Sequence, residues 1–312
     1  MDILSSLATG SRVALVRLRS MGDCVLTTPS IRLLKAYRPD VQIGVVVEDR
    51  FRDVYTDNPD VAVLFPASRS ALLAWHPALT INLHGGTRSA WITALSFSRW
   101  RAGFAHYRFQ GLYNLPLPRA QAVLGTERPV HTAEHVASAM FHLGVPQTEI
   151  PAASLYATPP AKPRPYCVLH PQATAPEKIW PAANFLTLAE RITKYLDMEP
   201  VFIGANTAEL APFAQYATVA GAPLKDAMGL ISGASLFVGN DSGPAHLAAG
   251  FGRRGVVLFG GSDPVTWAPW RCPHLQQIVT TPVASIPVDK VFAALQSACL
   301  QYPTIPPREF PQ

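Results

Sequence analysis

No D-x-D occurs anywhere in the 312 residues, so the acidic motif that usually bridges a metal ion to a sugar nucleotide is missing. No G-x-x-x-x-G-K-S/T occurs either, which excludes a P-loop nucleotide hydrolase. The strand-like runs "RVALVRL" and "YCVLH" are not followed by G-x-G-x-x-G, which argues against a nicotinamide-dependent dehydrogenase. The four cysteines, Cys24, Cys167, Cys272 and Cys299, are scattered without a C-x-x-C, so zinc, redox and disulfide readings all lose support. Charge is sparse. Charged residues make up 15% and the net charge is +5, a mild bias toward anionic ligands or an anionic membrane surface and too dispersed for nucleic acid. No apolar run approaches the ~18 residues that span a bilayer. The opening "MDILSSLATG" lacks the basic start and long apolar core of a secretory leader, so a cytoplasmic protein is expected.

Apolar residues are plentiful, at 48%, and the length suits two domains. Short buried-type strands fit "RVALVRL" (12–18), "QIGVVV" (42–47), "VAVLF" (61–65) and "LTINL" (79–83). Helical patterns lie near 24–37, 50–56, 69–75 and 87–97, and at 131–143, where Gly144 and Pro146 stop the helix. "ATPPAKPRPY" (157–166) then holds four prolines in ten residues and can be neither helix nor central strand. It reads as a linker. Strands return at 166–170, 199–204, 235–240 and 255–260, with helices at 181–196, 207–217, 224–233, 242–250 and 288–300, before a proline-broken tail at 303–312. Strand–helix alternation predicts parallel sheets covered by helices on both faces. The expected fold class is therefore α/β, with two Rossmann-like, doubly wound domains facing one another. The expected boundaries are 1–156 and 166–312, with a linker at 157–165.

Ligands in such folds sit beyond the carboxyl ends of the strands. The loops there carry six candidate constellations. In "FVGNDSGPAHLAAG", Asp241 and Ser242 suit a helix N-cap, Gly243 permits close backbone approach, and the helix N-terminus suits a diphosphate, with His246 one turn further in. A plain cap with a half-buried histidine fits that stretch equally well. In "LHPQATAPEKIWP", Thr174 and Lys178 offer a hydroxyl and a point charge to a phosphate, although a solvated loop lysine is the commoner case. Trp180-Pro181 reads as a helix start with an aromatic plug. Glu209 follows a strand end in "FIGANTAEL" and suits ribose hydroxyls, or simply the helix dipole. "NLHGGTRSAW" presents His84, Gly85, Thr87 and Arg88 at a turn fit for an anionic sugar or phosphate, or for Thr87 as a cap. "FGGSDPVTWAPW" supplies Ser262 and Asp263, with Trp267 and Trp270 read as packing groups. The first turn, "RLRSMGDC", carries Ser20, Met21, Gly22 and Asp23, a carboxylate where a nucleotide fold would place phosphate amides. Locally, Asp23 is a good helix N-cap.

Taken in order, "RLRSMGDCVLTTPSIRLLK", "INLHGGTRSA", "LHPQATAPEKIWP", "VGNDSGPAHLAAG" and "LFGGSDPVTWAPW" resemble the bacterial ADP-heptose:lipopolysaccharide heptosyltransferases, glycosyltransferase family 9. The resemblance runs from about residue 12 to about residue 271. It implies the GT-B fold, with the active site in an interdomain cleft. It also implies inverting, metal-independent transfer of heptose from ADP-heptose to a lipopolysaccharide inner-core acceptor. The family's catalytic aspartate falls on Asp23. Its nucleotide-binding threonine, lysine and glutamate fall on Thr174, Lys178 and Glu209, and its C-terminal helix start falls on Asp241, Ser242, Gly243 and His246. Where the family often has a second hydroxyl before the threonine, this chain has Ala173, so that phosphate contact is either lost or moved to Gln172.

The expected division gives the acceptor and the base Asp23 to the first domain, with Ser20, Met21, Gly22, His84, Gly85, Thr87 and Arg88 as acceptor contacts. The leaving diphosphate goes to the second domain, where Lys178 acts in both donor binding and catalysis. No cofactor and no metal are expected, the donor being a substrate. The expected partners are a nucleotide sugar, a lipid-linked saccharide and the inner-membrane surface. No nucleic acid is expected, and the protein should be a monomer. The alternatives are a GT-B glycosyltransferase using another nucleotide sugar, or a non-catalytic sugar-nucleotide-binding protein of the same fold.

Overall fold

The computed structural model describes residues 2–301 apart from 69 and 71; the proline-broken tail lies outside them. The chain divides into two compact units, Met1–Tyr156 and Ala157–Gln312.

The first unit is one six-stranded sheet. Its strands are β1 (Arg12–Val16), β2 (Gln42–Val47), β3 (Val63–Pro66), β4 (Leu79–Asn82), β5 (Trp100–Phe104) and β6 (Leu115–Leu117), in the order β3-β2-β1-β4-β5-β6. Every pairing is parallel; Leu15 on β1 lies between Val45 on β2 and Ile81 on β4. The inner strands are nearly continuous aliphatic runs because helices cover both faces. Those helices are α1 (Met21–Val25), α2 (Thr28–Tyr37), α3 (Thr87–Ala94), α4 (Ala120–Leu124) and α5 (Thr132–Leu143).

The second unit repeats the plan. Its strands are β7 (Tyr166–His170), β8 (Glu199–Gly204), β9 (Ala217–Ala220), β10 (Leu236–Asn240), β11 (Gly255–Phe259) and β12 (Leu275–Val279), in the order β12-β11-β10-β7-β8-β9, all parallel. Its helices are α6 (Ala182–Leu196), α7 (Thr207–Leu210), α8 (Leu224–Gly233), α9 (Gly243–Gly250), α10 (Pro264–Trp267) and α11 (Val288–Gln301). Trp180, Phe185, Phe202 and Phe213 are fully buried in its core, each contributing roughly 1.5–3 kcal/mol or more by leaving water.

Several elements differ from the sequence pattern. The helix expected at 24–37 is two helices, because Pro29 has no N–H to give Val25 O; Thr28 Oγ1 donates to that carbonyl instead, at 2.8 Å. Residues 49–54 form a 3-10 helix, and 72–75 form a turn rather than a helix. The expected helix at 207–217 stops at Leu210. Pro212 follows in a short 3-10 turn, and the chain then enters β9.

In both units the strand order reverses at one place, between β1 and β4 and between β7 and β10. The crevice beyond the carboxyl ends at such a reversal is where open α/β sheets bind ligands. Four of the six candidate loops follow those four strands.

Candidate functional site

In the first unit, β1 delivers the chain to Ser20, the N-cap of α1. Asp23 is therefore not the cap but the third helical residue. Its Oδ2 reaches back to accept from Ser20 N at 3.1 Å and from Ser20 Oγ at 3.2 Å. This is the acid of a capping box, and it fixes the carboxylate's direction. A second tether was not foreseen. Arg17, read only as part of a strand, is 6% exposed, and its Nη1 lies 3.7 Å from Asp23 Oδ1. Arg17 Nε donates to Thr27 Oγ1 at 3.2 Å, and that hydroxyl donates to Asp23 O at 2.8 Å. Met21 and Gly22 are the first two residues of α1. Cys24, next to Asp23, is buried, and burial pushes its thiol up to about 12, so it stays protonated and inert.

Across the reversal, β4 ends at Asn82, which is fully buried. Its Oδ1 accepts from His84 N at 3.0 Å and Gly85 N at 3.1 Å, while Nδ2 donates to Tyr113 OH at 2.8 Å and Ser89 Oγ at 3.2 Å. One amide thus shapes the whole "HGGT" turn. Gly85 has φ +78, and a Cβ there would stand 2.8 Å from the Tyr107 ring, so only glycine fits. Burial, then the nearby Arg17 charge, lowers the His84 pKa and favours the neutral imidazole. Gly86, not Thr87, is the N-cap of α3; Thr87 is exposed. Arg88 is exposed but engaged: Nη2 donates to Ala67 O, and Nη1 lies 3.8 Å from Glu48 Oε1. Behind this turn, His135 of α5 stacks on Phe104 with ring centroids 4.1 Å apart. Burial, reinforced by His106, holds the His135 pKa at about 4. Neither histidine carried a sequence motif.

In the second unit the reversal gathers a charged set. Lys178 Nζ lies 3.0 Å from Asp241 Oδ2, with side-chain exposures of 23% and 7%. Ser262 Oγ donates to the same Asp241 oxygen. Ser242 is the N-cap of α9; its hydroxyl donates to Asn240 O at 3.0 Å and shares a 3.0 Å contact with His170 Nδ1. The hydroxyl has one hydrogen, so His170 Nδ1 is the donor of that pair. Burial keeps the His170 pKa at about 4. Asn240, fully buried at the end of β10, accepts from Trp180 N at 3.1 Å and donates to Pro171 O at 2.8 Å. Trp180 is the expected plug, with Nε1 donating to Ile286 O at 2.9 Å. The start of α9 offers fewer amides than its sequence suggests. Pro244 has none and Ala245 N goes to Ser242 O, which leaves Gly243 N.

The remaining candidates stand further out. Thr174 and Glu209 are exposed; Glu209 lies in the first turn of α7, and Asn206 caps that helix by accepting from Glu209 N at 3.0 Å. Gln172 is turned toward α7, donating to Glu209 O at 3.2 Å, so its amide is engaged away from Lys178. His246 is buried. Asp263 caps α10 through Val265 N at 2.9 Å. Trp267 is 42% exposed. Among the described residues, no group of three or more His, Cys, Asp and Glu could hold a metal ion. No helix among them is long and apolar enough to cross a membrane.

This chain resembles known proteins along most of its length. The family model described as glycosyltransferase family 9 (heptosyltransferase) matches residues 70–284. Lipopolysaccharide heptosyltransferase 3 of Escherichia coli strain K12 is 24% identical over 291 residues, covering 81% of this chain and 83% of that protein. Among solved structures, a glycosyl transferase family 9 protein from Veillonella parvula superposes with a TM-score of 0.83 at 19% identity, covering 97% of this chain and 99% of the other. The E. coli heptosyltransferase WaaC, solved with ADP, superposes at 0.79 and 18% identity, covering 92% and 100%. The two doubly wound sheets are thus those of the GT-B fold.

Proposed function

The chain belongs to glycosyltransferase family 9, and from that premise we propose that it transfers heptose from ADP-heptose to a lipopolysaccharide inner-core acceptor, with inversion and without a metal ion. The observation that carries this reading is the lysine held at the strand-order reversal of the second sheet, Lys178 on Asp241. A cation fixed beyond the strand ends is what a leaving diphosphate needs where no metal supplies the charge. Further support comes from the ADP named with WaaC and from the lipopolysaccharide acceptor in the name of the E. coli relative.

The assignment gives the donor to the second unit. Lys178 contacts the diphosphate, and Gly243 N and the Ser242 cap face it at the start of α9. Thr174, Glu209, Asp241 and His246 complete the donor contacts, with Glu209 toward the ribose. The first unit takes the acceptor, with Ser20, Met21, Gly22, His84, Gly85, Thr87 and Arg88 around it. The acceptor hydroxyl gives its proton to Asp23 as its oxygen bonds to the anomeric carbon. The bond from that carbon to the diphosphate breaks, and ADP leaves with the electron pair, its charge met by Lys178. The Ser20 amide and hydroxyl and the Arg17 guanidinium orient the Asp23 carboxylate for this step. The protein acts as a monomer.

The test is mass spectrometry of products from the purified chain with ADP-heptose and a panel of truncated core acceptors, with EDTA and UDP-sugar arms. Heptose addition that survives EDTA supports the reading. Transfer from UDP-sugars alone, or loss with EDTA, overturns the donor or the metal assignment. No transfer from any donor favours a binding protein of the same fold.

A further inference from the structure

Between Asp60 and Glu127 the chain has no aspartate, glutamate or lysine, and it has six arginines. A chain with 21 acidic residues in 312 would carry about four in such a stretch. The large hydrophobic side chains described as exposed in the first unit, Leu73, Trp91 and Phe97, all fall inside it.

Phe97 is the extreme case. It is 74% exposed, at φ +52, in the loop from α3 to β5. Its neighbours Ser96 and Ser98 are buried. Ser96 Oγ donates to Thr93 O at 2.7 Å, the two serine hydroxyls lie 3.0 Å apart, and Ser98 Oγ meets Thr80 Oγ1 at 2.6 Å. Solvation alone would place the hydroxyls outside and the phenyl ring inside. Here a buried hydroxyl chain anchors the loop and presents the ring to solvent.

Two arginines follow Phe97 within four residues. Arg99 is exposed, with its guanidinium carbon 5.3 Å from the centre of the Trp100 ring. Arg101 follows, donating from Nη1 to Ser98 O at 2.8 Å. Asn114 fixes this strand start by accepting from Arg101 N at 2.7 Å and donating to Arg99 O at 2.8 Å. Trp91, 40% exposed, precedes Phe97 on α3.

We propose that this surface docks on an anionic lipid bilayer. Phe97 and Trp91 enter the boundary between headgroups and acyl chains, and Arg99 and Arg101 meet the lipid phosphates. Charge complementarity selects this occupant: aromatic tips beside arginines, with no acid in the surrounding stretch, are the composition of an interfacial anchor. A protein partner is a poorer match. Two aromatic side chains of at most about 250 Å² each, both partly covered already, fall short of the roughly 800 Å² that each partner gives a stable protein interface. The contact is expected to be weak and reversible.

The test is co-sedimentation of the full chain with vesicles of phosphatidylcholine alone or with one-third phosphatidylglycerol, at about 0.1 M and about 1 M salt. Wild type should pellet with the anionic vesicles at the lower salt only. Arg99→Ser should weaken partitioning roughly fivefold, the equilibrium factor for one arginine at an anionic surface. Phe97→Asn, chosen because asparagine tolerates a positive φ, should weaken it further in the double variant. Melting curves and far-UV circular dichroism should match wild type, since both side chains are exposed. Tyr195→Ser, an exposed aromatic change on α6, should bind as wild type does. Wild type left in the supernatant, or variants that bind as well as wild type, overturn the proposal. So does a wild-type dimer that Phe97→Asn splits in sedimentation equilibrium without any vesicle binding, which makes the surface a protein interface. The vesicles hold no saccharide acceptor, so the result is independent of the transferase reading.

Discussion

Lys178 Nζ and Asp241 Oδ2 are 3.0 Å apart, joining the loop after β7 to the loop after β10 across the reversal of the second sheet. Asp241 is the more buried partner, and Ser262 is its other donor. Removing the lysine therefore strands a mostly desolvated carboxylate. Lys178→Met should cost ~2 kcal/mol, discounted from the 3–5 kcal/mol of a fully buried pair because Lys178 reaches solvent. The Lys178→Met, Asp241→Asn double variant should recover most of that stability in urea melts. It should not recover ADP affinity. Losing one charge-assisted contact to a diphosphate is worth about 1.5–3 kcal/mol, roughly ten- to a hundredfold in calorimetric Kd. Restored affinity in the double variant would remove Lys178 from the donor site.

Asp23→Asn separates the observed capping role of this side chain from its proposed role as base. Asparagine Oδ1 still accepts from Ser20 N, so the cap and the fold should persist, with a loss of about 1 kcal/mol or less in thermal melts. Proton acceptance is lost. Turnover should fall roughly 10²–10⁴-fold while ADP affinity holds, because the proposed donor contacts are assigned to the other unit. Near-normal kcat with wild-type donor KM would leave Asp23 a capping residue only.

Asn82 and Asn240 occupy the same position in the two units, the last residue of the fourth strand, and both are fully buried. Asn82 uses its amide to shape the turn that follows its own strand, whereas Asn240 holds the loop across the reversal. Asn240→Ala removes the acceptor of Trp180 N and the donor to Pro171 O, leaving two buried backbone groups unpaired. The cost should be about 2–4 kcal/mol. Asn240→Asp keeps the acceptor but turns a buried carboxylate oxygen on Pro171 O, so it should be no more stable than Asn240→Ala in denaturant midpoint.

What could be read from the chain follows from which side chains act locally. The inner strands were legible because β1, β2, β7, β10 and β11 are continuous aliphatic runs. Of the outer ones, β3 and β8 were legible at 61–65 and 199–204, and β5, β6, β9 and β12 were not. "WRAGF" opens on tryptophan and arginine, "LPL" contains a proline, and "LQQIV" has glutamines at its centre, each tolerated because one side of the strand lacks a full neighbour. In the site, Lys178, Asp241 and Ser242 came from a recognisable loop chemistry, and the structure brings them together. Arg17 was hidden inside a strand pattern, and its reach to Asp23 depends on the turn that α1 makes. His135 lies on a helix far along the chain from Asp23 and meets the β4 turn only through tertiary packing on Phe104. Nothing in its local sequence announces that contact.

His135 and His170 weaken the fold in acid. Each is held at a pKa of about 4 against an ordinary 6.5, chiefly because burial disfavours the imidazolium. Above pH 6.5 both states of the chain hold these rings neutral, and neither ring costs stability. As pH falls through 6.5 the unfolded chain binds a proton at each position and the folded chain does not. Stability therefore declines with falling pH from about 6.5 until about 4, where the folded rings also protonate. Between pH 7.5 and pH 5 the loss should be roughly 2 kcal/mol for each ring. Urea melts across that range check the slope. His170→Asn and His135→Phe should each flatten it by about one histidine's share, and an unchanged slope in either variant would place that ring in contact with water.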